Sequence, residues 1–173
     1  MLADELELVS RTLAGDTAGY GEIIERYKDA LYRHAYRLVR DEDDAEDIAQ
    51  ETFIKAYDKL HTFDTTKKLS TWLFRIATNT ALDHLRRAKH QTPLTVELTA
   101  RIASSAVGPH MSAEHAELYQ AVAQLHPRYQ AVISMHYWEG LKIEEIASIM
   151  NVPPGSVKGW LHRAKQDLKK ELQ

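Results

Sequence analysis

Cysteine is absent from the chain of 173 residues. Its absence excludes disulfide bonds, thiolate-bound zinc, iron–sulfur clusters and a thiol nucleophile. Long apolar runs are also missing, whereas a membrane-spanning helix needs about 20 apolar residues. The first residues lack the basic and apolar regions of a secretory signal peptide. We therefore expect a cytoplasmic protein without membrane insertion.

Glycine and proline are scarce, with seven and five residues, and the alternating pattern of β-strands is almost missing. Apolar residues instead recur at spacings of three and four, as they do from Ile23 to Val39. This helical spacing fades in the middle of the chain and then resumes. The sequence thus predicts an all-α protein with two small helical domains, residues 1–90 and 113–173, joined by a flexible linker at 91–112.

The linker contains an unusual tetrapeptide. Gly-Pro-His-Met at 108–111 is typical of an engineered junction in which a protease site precedes a cloning site. A native linker is the alternative, and the sequence leaves both interpretations open. An extended linker of this length would reach on the order of 70 Å, at about 3.3 Å per residue. Two domains joined in this way can bind separate places on one long ligand.

Charges of one sign are segregated along the chain, although the net charge is only −3. Every charged side chain in 41–51 is acidic. The charged side chains in 67–89 are basic except Asp83, and those in 158–170 are basic except Asp167. Two cationic faces of this kind fit phosphate groups. Charge runs are also common on faces that are only solvated, so the pattern alone leaves both readings open.

Three residues of the acidic segment, Asp47, Gln50 and Glu51, are spaced to share one face of a helix. Asp43 or Asp44 is the predicted N-cap of this helix. Because an acidic patch repels DNA phosphates, we interpret the face as either solvated or directed at a basic protein partner.

Aromatic residues are interleaved with cations in the following segment. Phe63, Trp72 and Phe74 lie among or beside the basic residues, and the polar stretch at 61–68 predicts a loop. Unpaired bases stack on aromatic rings while cations follow the backbone, so the combination is typical of single-stranded nucleic-acid binding. The alternative is that the rings are core residues, which we expect for at least one of Trp72 and Phe74.

A short helix, a turn and a basic helix follow one another near the end of the chain. Helical spacing at 143–150 is followed by the turn Asn-Val-Pro-Pro-Gly at 151–155 and by a second helix from Ser156. This is the layout of a helix-turn-helix. Ser156 is also a candidate helix cap, and the direction of Trp160 is left open. The candidate DNA contacts on the second helix are Ser156, Lys158, Gly159, His162 and Arg163.

Three segments in this order closely resemble bacterial RNA polymerase sigma factors of the extracytoplasmic-function (ECF) group. They are Asp-Ala-Glu-Asp-Ile-Ala-Gln-Glu-Thr-Phe-Ile-Lys-Ala-Tyr at 44–57, Leu-Ser-Thr-Trp-Leu-Phe-Arg-Ile-Ala-Thr-Asn at 69–79, and the terminal helix-turn-helix. The resemblance covers nearly the whole chain apart from the linker. It implies a sigma region 2 domain at 1–90, a sigma region 4 domain at 113–173, and a promoter-recognition subunit with no catalytic site, cofactor or metal of its own.

The resemblance also implies partners and contact residues. The acidic helix would dock on the clamp coiled coil of the largest polymerase subunit through Asp47, Gln50 and Glu51, and region 4 would contact the flap. Region 2 would read and melt the -10 element, and region 4 would read the -35 element, with an anti-sigma factor as a further partner. The implied -10 contacts are Phe63, Lys67, Lys68, Ile76, Asn79, Asp83, Arg86 and Arg87. The implied -35 contacts are Ser156, Lys158, Gly159, His162 and Arg163.

The sequence departs from the family pattern at a few positions. Leu69 replaces a frequent phenylalanine, and Arg75 and Ile76 stand where housekeeping sigma factors have a tryptophan pair for melting. Gly159 and Trp160 replace a frequent serine and basic residue, which leaves the -35 preference open.

Two other classes of protein are alternatives. A stand-alone helix-turn-helix regulator would bind duplex DNA without polymerase and usually as a dimer. An enzyme would use the carboxylate cluster and the nine histidines. We disfavour the enzyme because the sequence has no metal-binding helix motif, nucleophile elbow or Gly-rich phosphate loop.

Overall fold

The computed structural model describes residues 2–91 and 113–172, with side chains described for 4–88 and 117–172. All regular structure in these residues is helical, which confirms the predicted all-α class. Of the predicted linker, Gln91 is the last residue of a helix, and residues 92–112, including the junction proposed at 108–111, lie outside the described residues. None of the described helices has both the length and the apolarity that a membrane crossing requires.

Four helices form the N-terminal unit. They are α1 (Leu2–Leu13), α2 (Thr17–Val39), α3 (Glu42–Lys59) and α4 (Leu69–Gln91), with a 3-10 turn (Leu60–Thr62) after α3. Helices α2, α3 and α4 pack on one another, and α1 packs on α2. The core side chains at their contacts are almost fully buried: Ile23, Leu31, Ile48, Leu69 and Leu73.

The N-cap of α3 differs from the prediction. Asp41, rather than Asp43 or Asp44, has the extended backbone of a cap, and its carboxylate accepts the Asp44 N–H at 3.0 Å. Asp43 and Asp44 already lie in the first helical turn. Their charges still favour the helix, because carboxylates near a helix N-terminus interact well with its dipole.

The described part of the C-terminal unit contains four helices. They are α5 (Ala113–Gln124), α6 (Pro127–Ile133), α7 (Ile143–Met150) and α8 (Pro154–Glu171), with a π-helical turn (Ser134–Trp138) after α6. Gly140 follows this turn with a φ of 65°, a left-handed conformation that glycine adopts readily. The predicted helix-turn-helix is confirmed as α7, the turn and α8.

The expectation that Ser156 caps α8 is wrong. The helix begins at Pro154, and the N-cap is Pro153, which makes no side-chain capping hydrogen bond. Proline suits the first position of a helix because its fixed φ is helical and its missing N–H would have no partner there. Ser156 is therefore the third residue of α8, and its side chain is half-buried.

The two units pack against each other, and their buried residues form one continuous cluster. Helices α2 and α4 lie on one side of this contact, and α6, the π-helical turn and α7 lie on the other. We call this contact the closed interface. It brings residues that are far apart in sequence next to the segments implicated in nucleic-acid binding.

Candidate functional site

The acidic face of α3, formed by Asp47, Gln50 and Glu51, points away from the core. Asp47 and Gln50 are exposed, and Glu51 is half-exposed with its Oε1 2.8 Å from Lys55 Nζ. Ile54, one turn further along, is 63% exposed. Sequence reasoning missed Ile54, although its spacing from Gln50 places it on the same face. The face thus combines negative charge with an exposed apolar side chain, as protein-binding surfaces do.

Tyrosine residues hold this part of α3 against α2. The Tyr20 hydroxyl donates a hydrogen bond to the Phe53 carbonyl, and the Tyr20 ring lies 4.9 Å from the Tyr57 ring in an edge-on arrangement. Burial raises the pKa of Tyr20, so the phenol stays a neutral donor. These contacts join α3 to α2 at Phe53 and Tyr57, which lie on either side of Ile54 in the sequence.

The α4 residues implicated by the resemblance fall on one surface. Ile76, Asn79, Asp83 and Arg86 are separated by three or four residues and therefore share a helix face. All but the half-buried Ile76 are exposed, as is Arg87. An exposed ion pair of 2.8 Å joins Arg86 NH1 to Asp83 Oδ1. The surface is polar and accessible, with an excess of positive charge.

The aromatic rings before and within α4 have different environments. Phe74 is 4% exposed and meets the His34 ring edge-on at 5.2 Å, so the core interpretation is right for this ring. Phe63 is 8% exposed, and its ring centroid lies 5.4 Å from that of the half-buried Trp72. Only part of each of these two rings is open to a base.

A side-chain turn orders the loop between Phe63 and Leu69. The Asp64 carboxylate accepts the Thr66 N–H at 3.0 Å and the Thr66 hydroxyl at 2.7 Å. These hydrogen bonds from Thr66 hold the pKa of Asp64 below its usual value. The turn leaves Lys67 and Lys68 exposed at the edge of the loop.

A cleft of about 630 Å³ lies between this loop and the C-terminal unit. Phe63, Lys68 and Arg75 line one side, and Glu144 and Glu145 of α7 line the other. Lys68 Nζ is 2.8 Å from Glu145 Oε1. Burial acts to raise the pKa of Glu145, but hydrogen bonds from Lys68 and from the Lys142 N–H outweigh it, and the pKa is lowered.

Helix α8 separates a buried side from an exposed side. Val157 and Leu161 are buried. Trp160, whose direction the sequence left open, is half-buried against the core, with the Arg128 guanidinium 5.8 Å from its ring centroid. The exposed side carries four of the five predicted contacts: Lys158, Gly159, His162 and Arg163.

Comparison with known families identifies the protein. The family models of sigma-70 region 2 and sigma-70 region 4 match residues 23–91 and 115–168. These matches define a protein of the sigma-70 type. More particularly, the chain belongs to the ECF group of RNA polymerase sigma factors, as the resemblance implied, and it directs promoter-specific transcription initiation.

The similarity to individual sigma factors extends over almost the whole chain. The ECF RNA polymerase sigma factor SigW of Bacillus subtilis is 35% identical over 177 aligned residues, which cover 95% of each chain. The RNA polymerase sigma-H factor of Pseudomonas aeruginosa is 34% identical, over 96% of this chain and 93% of that protein.

Two solved structures have a similar fold. CnrH, in complex with the cytosolic domain of CnrY, is 27% identical with a TM-score of 0.72, over 98% of this chain and 97% of that chain. The sigma factor RpoE of Bartonella quintana, in complex with the anti-sigma factor NepR, has a TM-score of 0.73 at 23% identity, over 88% of this chain and 96% of that chain.

Proposed function

We propose that the acidic face of α3 binds core RNA polymerase, on the clamp coiled coil of the largest subunit. The proposal is supported by the exposure of Asp47 and Gln50 and by the apolar Ile54 beside them. A carboxylate-rich face is unsuited to DNA and complements a basic protein surface. In this proposal polymerase supplies the catalytic site, region 4 contacts the flap, and the protein acts in the cytoplasm.

The loop at 63–68 and the exposed face of α4 are proposed to read and melt the -10 element. Lys67, Lys68, Arg86 and Arg87 are exposed cations suited to phosphates, and Phe63 with Ile76 and Asn79 would surround a flipped base. Asp83 would lie near the upstream duplex. Unstacking a base costs a few kcal/mol, which contacts in the pocket and polymerase binding must offset.

Helix α8 is proposed to read the -35 element in the major groove. Its exposed Lys158, Gly159, His162 and Arg163 lie on the side opposite the buried Val157. A helix with a buried apolar side and an exposed basic side is the arrangement of a recognition helix. Ser156 would contribute from the first turn of the helix. We also propose that residues 1–90 form the region 2 domain and residues 113–173 form the region 4 domain.

The decisive experiment tests polymerase binding. Asp47→Lys/Glu51→Lys should abolish co-elution with sigma-free core polymerase and promoter-dependent RNA synthesis, because it reverses the charge of the acidic face. Glu25→Lys/Asp29→Lys is the matched control, since these two exposed carboxylates have the same spacing on α2. Circular dichroism would show that all variants fold.

Each outcome separates the alternatives. Loss of co-elution in the α3 variant alone supports the proposal. Equal loss in the α2 control would assign the effect to overall charge. Wild-type protein that ignored core polymerase but bound a duplex as a dimer would be a free-standing regulator.

A second experiment tests the assignment of α8. Lys158→Glu should weaken footprinting over the -35 element by the polymerase complex and lower the salt dependence of binding by about one counterion. Lys169→Glu is the matched control on the same helix, since it is also exposed but lies near the C-terminal end of α8. Equal effects of both changes would contradict a contact specific to Lys158.

An anti-sigma factor is proposed as a further partner. The support is the 27% identity with CnrH, whose solved structure is a complex with the cytosolic domain of CnrY. A host strain with a reporter that depends on this sigma factor should gain expression when the gene of the partner is deleted. A deletion screen that finds no such gene would contradict the proposal.

A further inference from the structure

An arginine from a neighbouring helix lies against α8. Arg128 is the second residue of α6, and its guanidinium carbon lies 5.8 Å from the centroid of the Trp160 ring on α8. A guanidinium at this distance from a tryptophan face is attracted by the electrons of the ring. The contact therefore holds the Arg128 side chain beside α8, although Arg128 belongs to another helix.

The backbone of Arg128 is also fixed. His126 is the N-cap of α6, and its Nδ1 accepts the Arg128 N–H at 3.3 Å. Pro127, between the two, has a restricted φ angle. The Arg128 side chain nevertheless remains exposed. Because its backbone and its guanidinium are both held, Arg128 would lose little conformational freedom on binding a ligand.

The charge of Arg128 is not neutralised within the described residues. Arg128 forms no ion pair with a carboxylate in the part of the chain that the structure describes, whereas the Arg37 guanidinium is paired with Glu139. Asp167 lies two turns beyond Trp160 on α8, and its carboxylate is 4.0 Å from Lys170 Nζ. A group with this charge and exposure suits an anionic ligand.

Arg128 lies on the same side of α8 as two of the proposed -35 contacts. Ser156, Trp160 and Arg163 are separated by four and three residues, which places them along one side of the helix. The ring that holds Arg128 is therefore between Ser156 and Arg163. Lys158 precedes Trp160 by two residues and so points to nearly the opposite side of the helix. Exposed cations thus lie on both sides of α8.

A helix in the major groove has a DNA backbone on each side. The groove is about 12 Å wide, which is close to the diameter of a helix with its side chains. Residues that face into the groove meet base edges, and residues on the two sides meet phosphates. Trp160 stands where the ECF pattern frequently has a basic residue. Arg128, held on the Trp160 ring, supplies a cation at this place from α6.

We propose that Arg128 is a further contact of the -35 element, that it binds a phosphate of the DNA backbone, and that Trp160 is the residue that positions it. The proposal rests on the assignment of α8 to the -35 element made above. Because phosphates are the same in every sequence, Arg128 adds affinity and fixes the register of α8 in the groove, but it does not select bases. Trp160 acts through Arg128.

The first experiment counts the phosphate contacts of the polymerase complex. The probe is the genomic fragment that the wild-type complex protects best, and its affinity is measured by filter binding over a series of KCl concentrations. Arg128→Gln should lower the affinity roughly tenfold at low salt and reduce the slope of log affinity against log salt by about 0.9. Arg128→Lys, which keeps the charge, should keep the slope. Lys169→Gln, at an exposed cation near the end of α8, is the matched control and should change neither quantity.

The outcomes separate this proposal from the one on which it rests. A reduced slope in Lys158→Gln together with an unchanged slope in Arg128→Gln would overturn the Arg128 contact alone. Unchanged slopes in both variants would contradict the assignment of α8 to the -35 element. An equal reduction in Lys169→Gln would assign the effect to net charge, and the Arg128 contact would again be overturned.

The second experiment tests whether Trp160 acts through Arg128. Trp160→Leu keeps an apolar side chain against the core but removes the ring, and circular dichroism would show that the variant folds. It should lower the affinity for the same fragment about two- to fivefold, the effect of an exposed cation–π contact, whereas Trp160→Phe should lower it less. In the Arg128→Gln background, Trp160→Leu should have no further effect. A loss of the same size in both backgrounds would overturn the positioning role of Trp160.

Discussion

His34 and Ser134 are a hundred positions apart in sequence, and a buried hydrogen bond of 3.2 Å joins His34 Nδ1 to Ser134 Oγ across the two helical units. Burial, with a smaller contribution from the Arg37 cation, lowers the pKa of His34 from 6.5 to about 3. The groups in contact with the ring, Phe74, Thr78 and Ser134, are uncharged. The imidazole is therefore neutral as long as the units are packed together.

This histidine should make stability depend on pH. Between the folded and unfolded pKa values of His34, the folded chain binds fewer protons than the unfolded chain. The stability of the folded chain is therefore complete above about pH 6.5 and decreases as the pH falls below that value. We expect a loss of roughly 1.4 kcal/mol for each pH unit below that value. His34→Gln should flatten this dependence in urea unfolding measured at several pH values.

His61→Gln, the same substitution at an exposed position of the N-terminal unit, is the matched control. Three carboxylates have lowered pKa values: Asp16, Asp64 and Glu145. Their contribution to the free energy of unfolding is lost only when the pH falls below their ordinary pKa values of 3.8 to 4.5. The interval between about pH 5 and 6.5 therefore lies above the range in which these carboxylates act. A wild-type slope retained in His34→Gln would contradict its assignment.

The Arg37–Glu139 ion pair should contribute more to stability than an exposed pair. Arg37→Ala leaves the Glu139 carboxylate, 11% exposed, without its partner, which we expect to lower the free energy of unfolding by up to about 3 kcal/mol. Arg37→Met/Glu139→Met should recover most of the loss because no buried charge remains. Arg11→Ala, which breaks half-exposed pairs, should have a much smaller effect in the same thermal and urea unfolding measurements. If Arg37→Ala and the double variant lowered the free energy of unfolding equally, the unpaired Glu139 carboxylate would not be the cause of the loss.

Ile54 should be an anchor of polymerase binding rather than of the fold. Ile54→Lys exchanges an apolar side chain that is 63% exposed, so the melting temperature should change little. Affinity for core polymerase should fall about tenfold or more, as expected for an apolar contact buried at an interface. Leu172→Lys, at an apolar residue that is 42% exposed after α8, is the control in a surface plasmon resonance assay. Unchanged affinity of Ile54→Lys would exclude Ile54 from the interface.

Gly159 should show opposite effects on stability and DNA binding. A Cβ at this position of α8 meets nothing within 4 Å, so Gly159→Ala should stabilise the helix by about 0.5–1 kcal/mol. If the backbone lies against the -35 bases, the same methyl group should weaken or redirect recognition. Gly155→Ala, also in open space but in the first turn, should leave the -35 preference unchanged. An unaltered sequence preference in Gly159→Ala, determined by selection from random duplexes, would remove Gly159 from the contact surface.

Periodicity predicts most of this fold because each helix buries one side. The residues of α7 match the predicted segment at both ends, and Val157 and Leu161 are buried as expected. Helix starts were less predictable, as Asp41 and Pro153 show, because several neighbouring residues can satisfy or tolerate the first free N–H groups. The assignments of site residues drawn from the resemblance stay predictions.

The closed interface could not be predicted from local pattern. In the sequence, nothing distinguishes Arg37 and Glu139 from other charged residues. They become an ion pair only because distant segments of the chain pack together. Ser134 likewise owes its position to a π-helical turn, which shifts the register of the following residues and has no simple sequence signature. Long-range pairing of this kind depends on the tertiary structure and not on spacing.

Helix α4 belongs to two surfaces at once. Over its 23 residues, about 34 Å, one side carries Thr78 at the closed interface, and the next residue, Asn79, lies on the exposed side. Few substitutions should therefore be acceptable in this helix, because its residues must satisfy either the packing at the interface or the contacts of the exposed surface. In a saturation mutagenesis experiment, α4 should tolerate fewer substitutions than α1, which takes part in neither surface.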